Sequence, residues 1–286
     1  MRTVVLALAT ACWAGGACRS DPPPPAPPPP AAPKPAPAPP IAPARYADLG
    51  AAITAIVPAD ARVVGFGELH SRTDRRQVRS SLAAFTAALP AFADKVSDLV
   101  VETWVVDGTC GAAAAEATTR VEMTMRRPAE TKTEIGALAE AARAAKIQPH
   151  AMRVTCADYA TLAPPGKDVD PEALLTFTTK ELRRVTGEAI AHRDGEAGHR
   201  PWIAVYGGAL HNDRFPAPGV EDWSYAAAID AATHGHFVEI DVIVPELAEA
   251  DASVKSQPWY PLIADRRDVA VWQRGERSFV VILPRT

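Results

Sequence analysis

Residues 63–74 read VVGFGELHSRTD. An apolar run of strand length breaks off abruptly at Glu68 and His70, with Gly67 just before them. A continuous apolar run of this length, without alternation, marks a strand buried on both faces of a parallel sheet. Residues 62–67 are therefore expected to form the first strand of the fold. In an open parallel sheet ligands bind in the crevice beyond the carboxyl ends of the strands, where Glu68 and His70 fall. Side chains at i and i+2 of an extended segment point the same way, so the carboxylate and the imidazole face one site.

Working outward, apolar strand-length runs alternate with amphipathic helical stretches, an order that implies a mostly parallel sheet. After the first strand, Val78, Leu82, Phe85, Leu89 and Phe92 recur at helical spacing, with Pro90 ending or bending the helix. SDLVVETW is the next strand, TKTEIGALAEAARAAK the next clear helix, and IQPHAMRV the strand after it. Residues 105–130, rich in Ala, Thr and Arg, give no decisive pattern. A long helix is expected over 171–193, with Asp170 as N-cap and Pro171 in the first turn. PWIAVYGGALHND then repeats the opening arrangement: an apolar strand over 201–206, two glycines and His211. A helix near 223–233, a strand over 236–243 and a closing pair at 269–273 and 278–283, joined by RGER as an antiparallel hairpin, complete the chain. The expected fold is thus α/β: a mostly parallel central sheet with helices on both faces and a C-terminal antiparallel hairpin.

The N-terminal segment has a different logic. MRTVVLALATACWAGGAC carries one positive charge at Arg2, a short apolar stretch and small residues before Cys18, the pattern of a secretory signal. Gly15, Gly16, Ala17 and Cys18 resemble a bacterial lipoprotein signal, although such signals usually hold leucine where Gly15 stands. That resemblance implies removal of residues 1–17, lipidation of Cys18, attachment to the bilayer through the lipid, and a place in the cell envelope, periplasmic or surface-facing. Residues 18–44 are then the lipidated cysteine and a linker of proline and alanine, which favours polyproline II at about 3.1 Å per residue. Residues 45–286 are expected to be one α/β domain. Its Cys110 and Cys156 both follow strand ends, and an exported protein makes a disulfide between them the expectation. The chain holds 30 basic and 34 acidic side chains, which argues against nucleic acid as partner and leaves a small molecule or peptide.

Glu102 closes the strand DLVVE, and His211 follows WIAVY by way of Gly207 and Gly208. Three strands thus deliver Glu68, His70, Glu102 and His211 to one rim. Imidazole and carboxylate together suit a divalent zinc, manganese or cobalt ion, which lowers the pKa of bound water towards about 7. Without metal the same groups serve as an acid/base pair. The residues leave both open. The structural alternative for Glu102 is that it neutralises Arg153 on a neighbouring strand; Arg153 is open to that salt bridge or to binding an anionic transition state or carboxylate. The pair His234 and His236 in THGH is read as surface histidines around a left-handed helix cap at Gly235, and Trp104 as either pocket wall or core.

The two G-x-x-H motifs, Gly67–His70 (GELH) and Gly208–His211 (GALH), each after a strand and with Glu102 between them, resemble the superfamily of TIKI and TraB proteins, erythromycin esterases and ChaN-type haem-binding lipoproteins. The resemblance covers roughly residues 60–215. It implies an α/β fold with its site at the strand ends. The branches imply metal-dependent peptide hydrolysis, hydrolysis of a macrolide ester, or haem binding. It also implies a helical arginine, for which this sequence offers no single position.

Overall fold

The computed structural model describes residues 43–73, 78–106, 108–264 and 267–285. Cys18, the signal segment and most of the proline-rich linker lie outside the described residues. Eight strands make one sheet: β1 (Ala44–Tyr46), β2 (Val63–Glu68), β3 (Val96–Val106), β4 (Gln148–Val154), β5 (Trp202–Gly208), β6 (Phe237–Ile243), β7 (Val269–Gly275) and β8 (Ser278–Ile282). Their order across the sheet is β1-β7-β8-β6-β2-β5-β3-β4, so the opening stretch lies between β6 and β5. The pairings among β2, β3, β4, β5, β6 and β8 are parallel, while β7 runs antiparallel to both β8 and β1. The expected architecture is the observed one, with the three-residue edge strand β1 added.

The helices are α1 (Leu49–Ile56), α2 (Ser81–Ala88), α3 (Gly111–Met125), α4 (Glu130–Ala144), α5 (Cys156–Leu162), α6 (Pro171–Asp194), α7 (Ala209–Asn212), α8 (Ala226–Ala232) and α9 (Pro245–Ala250). None of the described helices is long and apolar enough to cross a membrane. Every residue of β2 is buried, and its alternation sorts the core. Val64 and Phe66 join a cluster with Ile53, Phe85, Phe92 and Leu138 from α1, α2, α4 and the turn after α2. Val63 faces the opposite cluster, with Leu182, Val185 and Ile229 of α6 and α8. Phe66 lies against Phe85 at 4.7 Å and Phe92 at 6.0 Å between ring centroids. Burying such a side chain contributes about 1.5–3 kcal/mol.

Of the two outcomes open at Pro90, the helix ends: α2 stops at Ala88, and Pro90 lies in a tight turn that still brings Leu89 and Phe92 inward. In α6, Asp170 caps as expected, accepting hydrogen bonds from the amides of Glu172 and Ala173. Gly235 takes φ 85° behind His234 at φ 57°, and His236 pairs with Asp60 at 3.1 Å, so these histidines belong to a helix end and the surface. The undecided stretch 105–130 contains α3, which packs through Ala114, Ala117 and Val121 against Tyr159, Leu162 and Leu174. These are small side chains on that helix. The disulfide Cys110–Cys156, with a sequence separation of 46, ties the start of α3 to the start of α5. In the chain-entropy model a loop of that size is worth about 4 kcal/mol.

Candidate active site

The carboxyl ends of β2, β3 and β5 meet at one rim, and all four expected side chains gather there. Glu68 is the last residue of β2, level with Gly208 of β5. Glu102 lies where the β3–β4 register shifts between Val101 and Trp104, an irregularity of the kind that re-aims a side chain out of the ladder. His211 sits on the single turn of α7. The imidazoles of His70 and His211 approach the two oxygens of the same Glu102 carboxylate: His70 Nε2 is 3.6 Å from Oε1 and His211 Nε2 is 3.9 Å from Oε2.

The glycines follow from this crowding. A Cβ on Gly208 would come within 2.8 Å of His70 Nε2, and one on Gly67 within 2.3 Å of Asp241 Oδ1 and 2.7 Å of the Ala209 backbone. Gly67 lies within the strand rather than at a turn, and its missing side chain makes room for α7 and β6.

Arg127, which the sequence reading did not place, completes the cluster. Arg153, the partner in the structural alternative for Glu102, is an exposed residue of β4, and Arg127 holds Glu102 instead. The α3 helix ends on Arg126 in the left-handed region at φ 50°, and Pro128 restricts the residue before it, so Arg127 is carried off the helix and over the rim. Its Nη2 donates to Glu102 Oε1 at 2.7 Å and lies 2.6 Å from His70 Nε2. Both hydrogens of that nitrogen are thus committed, and those of Nη1 and Nε have no partner among the described residues.

Hydrogen bonding fixes the proton positions. A guanidinium can only donate, so His70 Nε2 accepts from Arg127 and its Nδ1–H donates to Glu68 Oε1 at 2.8 Å. Glu68 Oε2 accepts the Tyr206 hydroxyl at 2.6 Å. The Trp223 carbonyl can only accept, so His211 Nδ1 carries a hydrogen shared with that oxygen at 3.1 Å and Thr179 Oγ1 at 2.7 Å. His211 Nε2 therefore has a lone pair, on the Glu102 side and in a cavity of about 510 Å³ that Glu68, His70 and Gly208 also line.

The charges follow from the same neighbours. Burial disfavours the Glu102 carboxylate, yet Arg127, His70 and His211 together hold its pKa well below the usual range, and it stays ionised. Burial lowers the pKa of His211 and Glu102 opposes only in part, so this imidazole stays neutral. His70 is pushed down by burial and by Arg127, but Glu102 and Glu68 outweigh them and raise it. That pull and the 2.6 Å contact with Arg127 oppose each other. A guanidinium donor and an Nε2 proton cannot share the same place, so the contact belongs to the pH range above the His70 pKa. Burial, with Glu68 beside it, lifts Tyr206 well above 10 and keeps it a donor. Asp241, also on the 510 Å³ cavity, is driven well up by burial, with Glu239 and Asp213 adding to it. It and Asn212 each leave a buried Oδ1 without a hydrogen-bond partner among the described residues.

Among the described residues no group of three or more His, Cys, Asp or Glu is placed to share an ion. The geometry gives the reason: the atoms of His70 and Glu102 that an ion would need are both engaged by Arg127, and the remaining nitrogen of His70 by Glu68. With the guanidinium in place the four side chains do not fit a divalent metal.

No family model matches the chain, and no curated protein matches it. Among solved structures, the type III effector HopBA1 is similar over 85% of this chain and 98% of its own, with 16% identity and a TM-score of 0.39. A likeness at that level says nothing about activity.

Proposed function

We propose that the protein is a hydrolase of an ester or amide bond that works without metal, using a neutral imidazole as base and a guanidinium as electrostatic clamp. The observation that carries this reading is His211, whose Nδ1–H is held by Trp223 and Thr179 so that the Nε2 lone pair faces Glu102 3.9 Å away. Two acceptors at that separation can share one water at ordinary hydrogen-bond lengths of about 2.8 Å.

In this reading the water oxygen attacks the carbonyl carbon while one water proton passes to His211 Nε2 and the other stays on Glu102 Oε2 as a hydrogen bond. The N–H groups of Arg127 that have no partner among the described residues stabilise the oxyanion, in a site where burial strengthens their field. Collapse breaks the bond to the leaving group, which takes the proton from His211. The products are a carboxylic acid and an alcohol or amine. His70, fixed by Glu68 and Tyr206, positions Arg127 and touches no substrate.

The haem reading has less support: His211 Nε2, the nitrogen left for an axial bond, faces a carboxylate, and the polar side chains of Asp213, Asp241 and Arg274 line the adjoining cavity. A panel of ester and peptide substrates, run on the full chain after chelation, tests the proposal. Turnover that survives chelation and falls about 10²–10⁴-fold in His211→Gln is the expected result. Turnover abolished by chelation, or unchanged in the variant, overturns it.

A further inference from the structure

A second cavity, of about 360 Å³, opens on the other side of the Glu102–Arg127 pair, between α3 and α4. Trp104, Val121, Met125, Ile135 and Leu174 give it an apolar wall, while Glu102 and Arg127 close one side. Trp104 is held edge-on against Tyr159 at 6.1 Å and Phe177 at 5.9 Å, so that wall is fixed. The Cys110–Cys156 disulfide holds α3, the other wall, to α5. At about 30 Å³ for each water-sized group, such a space holds roughly a dozen of them.

We infer that this cavity receives the acyl half of the substrate and that this half is apolar, so that the bond cleaved joins a hydrocarbon or aromatic carboxylic acid to its leaving group. The inference rests on the hydrolase reading above. Orientation follows from the chemistry. Arg127, which must face the carbonyl oxygen, lines the apolar cavity; His211, which must return a proton to the leaving group, lines the 510 Å³ cavity. The leaving side is the polar one, where Asp213, Asp241, Asp251 and Arg274 suit an alcohol or amine bearing further hydrogen-bonding groups. The acyl carbon therefore stands between the two, with its chain towards Trp104 and Ile135.

The test keeps one leaving group and varies the acid. Acetyl, butyryl, octanoyl and benzoyl esters of p-nitrophenol are given to the full chain, to His211→Gln, and to Ile135→Trp and Val121→Phe, which fill the cavity from α4 and α3. Burial of each added methylene is worth about three- to fourfold in kcat/KM until the space is full. The octanoyl-to-acetyl ratio is expected to be large in the parent protein and to collapse in both filling variants, whose melting temperatures report that they fold. A His211-dependent turnover that is flat in acyl length, or steep but unmoved by either variant, overturns the inference and leaves the hydrolase reading standing. If neither these esters nor the peptides of the panel above are turned over, the hydrolase reading fails. Calorimetry with octanoate and acetate then decides the cavity: octanoate binding weakened at least tenfold by Ile135→Trp supports an apolar-acid site, and no binding overturns it.

Discussion

Replacing Arg127 by methionine removes the only cation that touches Glu102 among the described residues while keeping the aliphatic bulk. Arg127 is 19% exposed at its side chain and Glu102 7%, so the pair is shielded from solvent and its loss is not a surface effect. Breaking a buried pair by deleting one partner costs about 3–5 kcal/mol, because the remaining charge has lost its counterion. The Gly208 amide, 2.6 Å from Glu102 Oε2, keeps the cost towards the lower figure. For a domain of this size each kcal/mol moves the melting temperature by about 2–4 °C, so a drop of roughly 6–12 °C is expected at pH 7. Neutralising the survivor separates charge from packing. In Arg127→Met with Glu102→Gln, the glutamine oxygen still accepts from Gly208, and most of the lost stability returns. Turnover does not return, because the oxyanion clamp, worth about 10²–10³ in kcat, is absent from both variants. Circular-dichroism melts of the full chain, alongside initial rates on the best ester, read both quantities. A single variant melting within about 1 °C of the parent, or a double variant less stable than the single one, refutes the assignment of Arg127 as partner of Glu102.

His70→Asn changes the pH profile in a defined direction. In the parent, kcat/KM falls as acid protonates His70 and displaces Arg127, with the limb above the ordinary histidine value of 6.5; in the variant the limb moves below 6.5, where His211 titrates. A limb unmoved by the substitution contradicts the contact. Gly208→Ala places a methyl 2.8 Å from His70 Nε2 and is expected to cost about 10²-fold in kcat by moving the imidazole off Arg127, with kinetics on a folded variant as the check. Asp241, with its raised pKa, binds more protons in the native than in the unfolded state. Its contribution to stability therefore declines as pH rises from the ordinary carboxylate range towards that raised pKa. Asp241→Asn removes this decline, so urea midpoints that fall with alkalinity as steeply in the variant as in the parent go against a protonated Asp241.

Much of this was legible in the chain. β2, β3 and β5 announce themselves because strands buried on both faces need unbroken apolar runs, and α6 because Asp170 and Pro171 mark its start. The rim position of Glu68, His70, Glu102 and His211 followed from the rule that parallel strands present their ends to ligands. What could not be read depends on contacts remote in sequence. β1 is three residues long and owes its place to pairing with β7. α3 packs through alanines and one valine, too weak a pattern to separate from a loop, and a disulfide supplies part of its anchoring. Arg127 was hidden among many arginines. The signal available was the Arg-Arg-Pro run after a helical stretch, which marks a helix end but not where the side chain will reach. The four side chains as a set suited either a metal or a metal-free acid/base pair, and the sequence did not show the fifth, Arg127, which brings a positive charge to Glu102.

The proposed hydrolysis depends on the proton of His211, and nitrogen-15 correlation spectra of the histidine rings read it without a substrate. With His211 assigned by its disappearance in His211→Gln, the expected result is a neutral ring at pH 7, protonated on Nδ1 and titrating below 6.5, beside a His70 that titrates above it. A His211 ring carrying its proton on Nε2, or charged at pH 7, leaves no lone pair for water and contradicts the proposed chemistry.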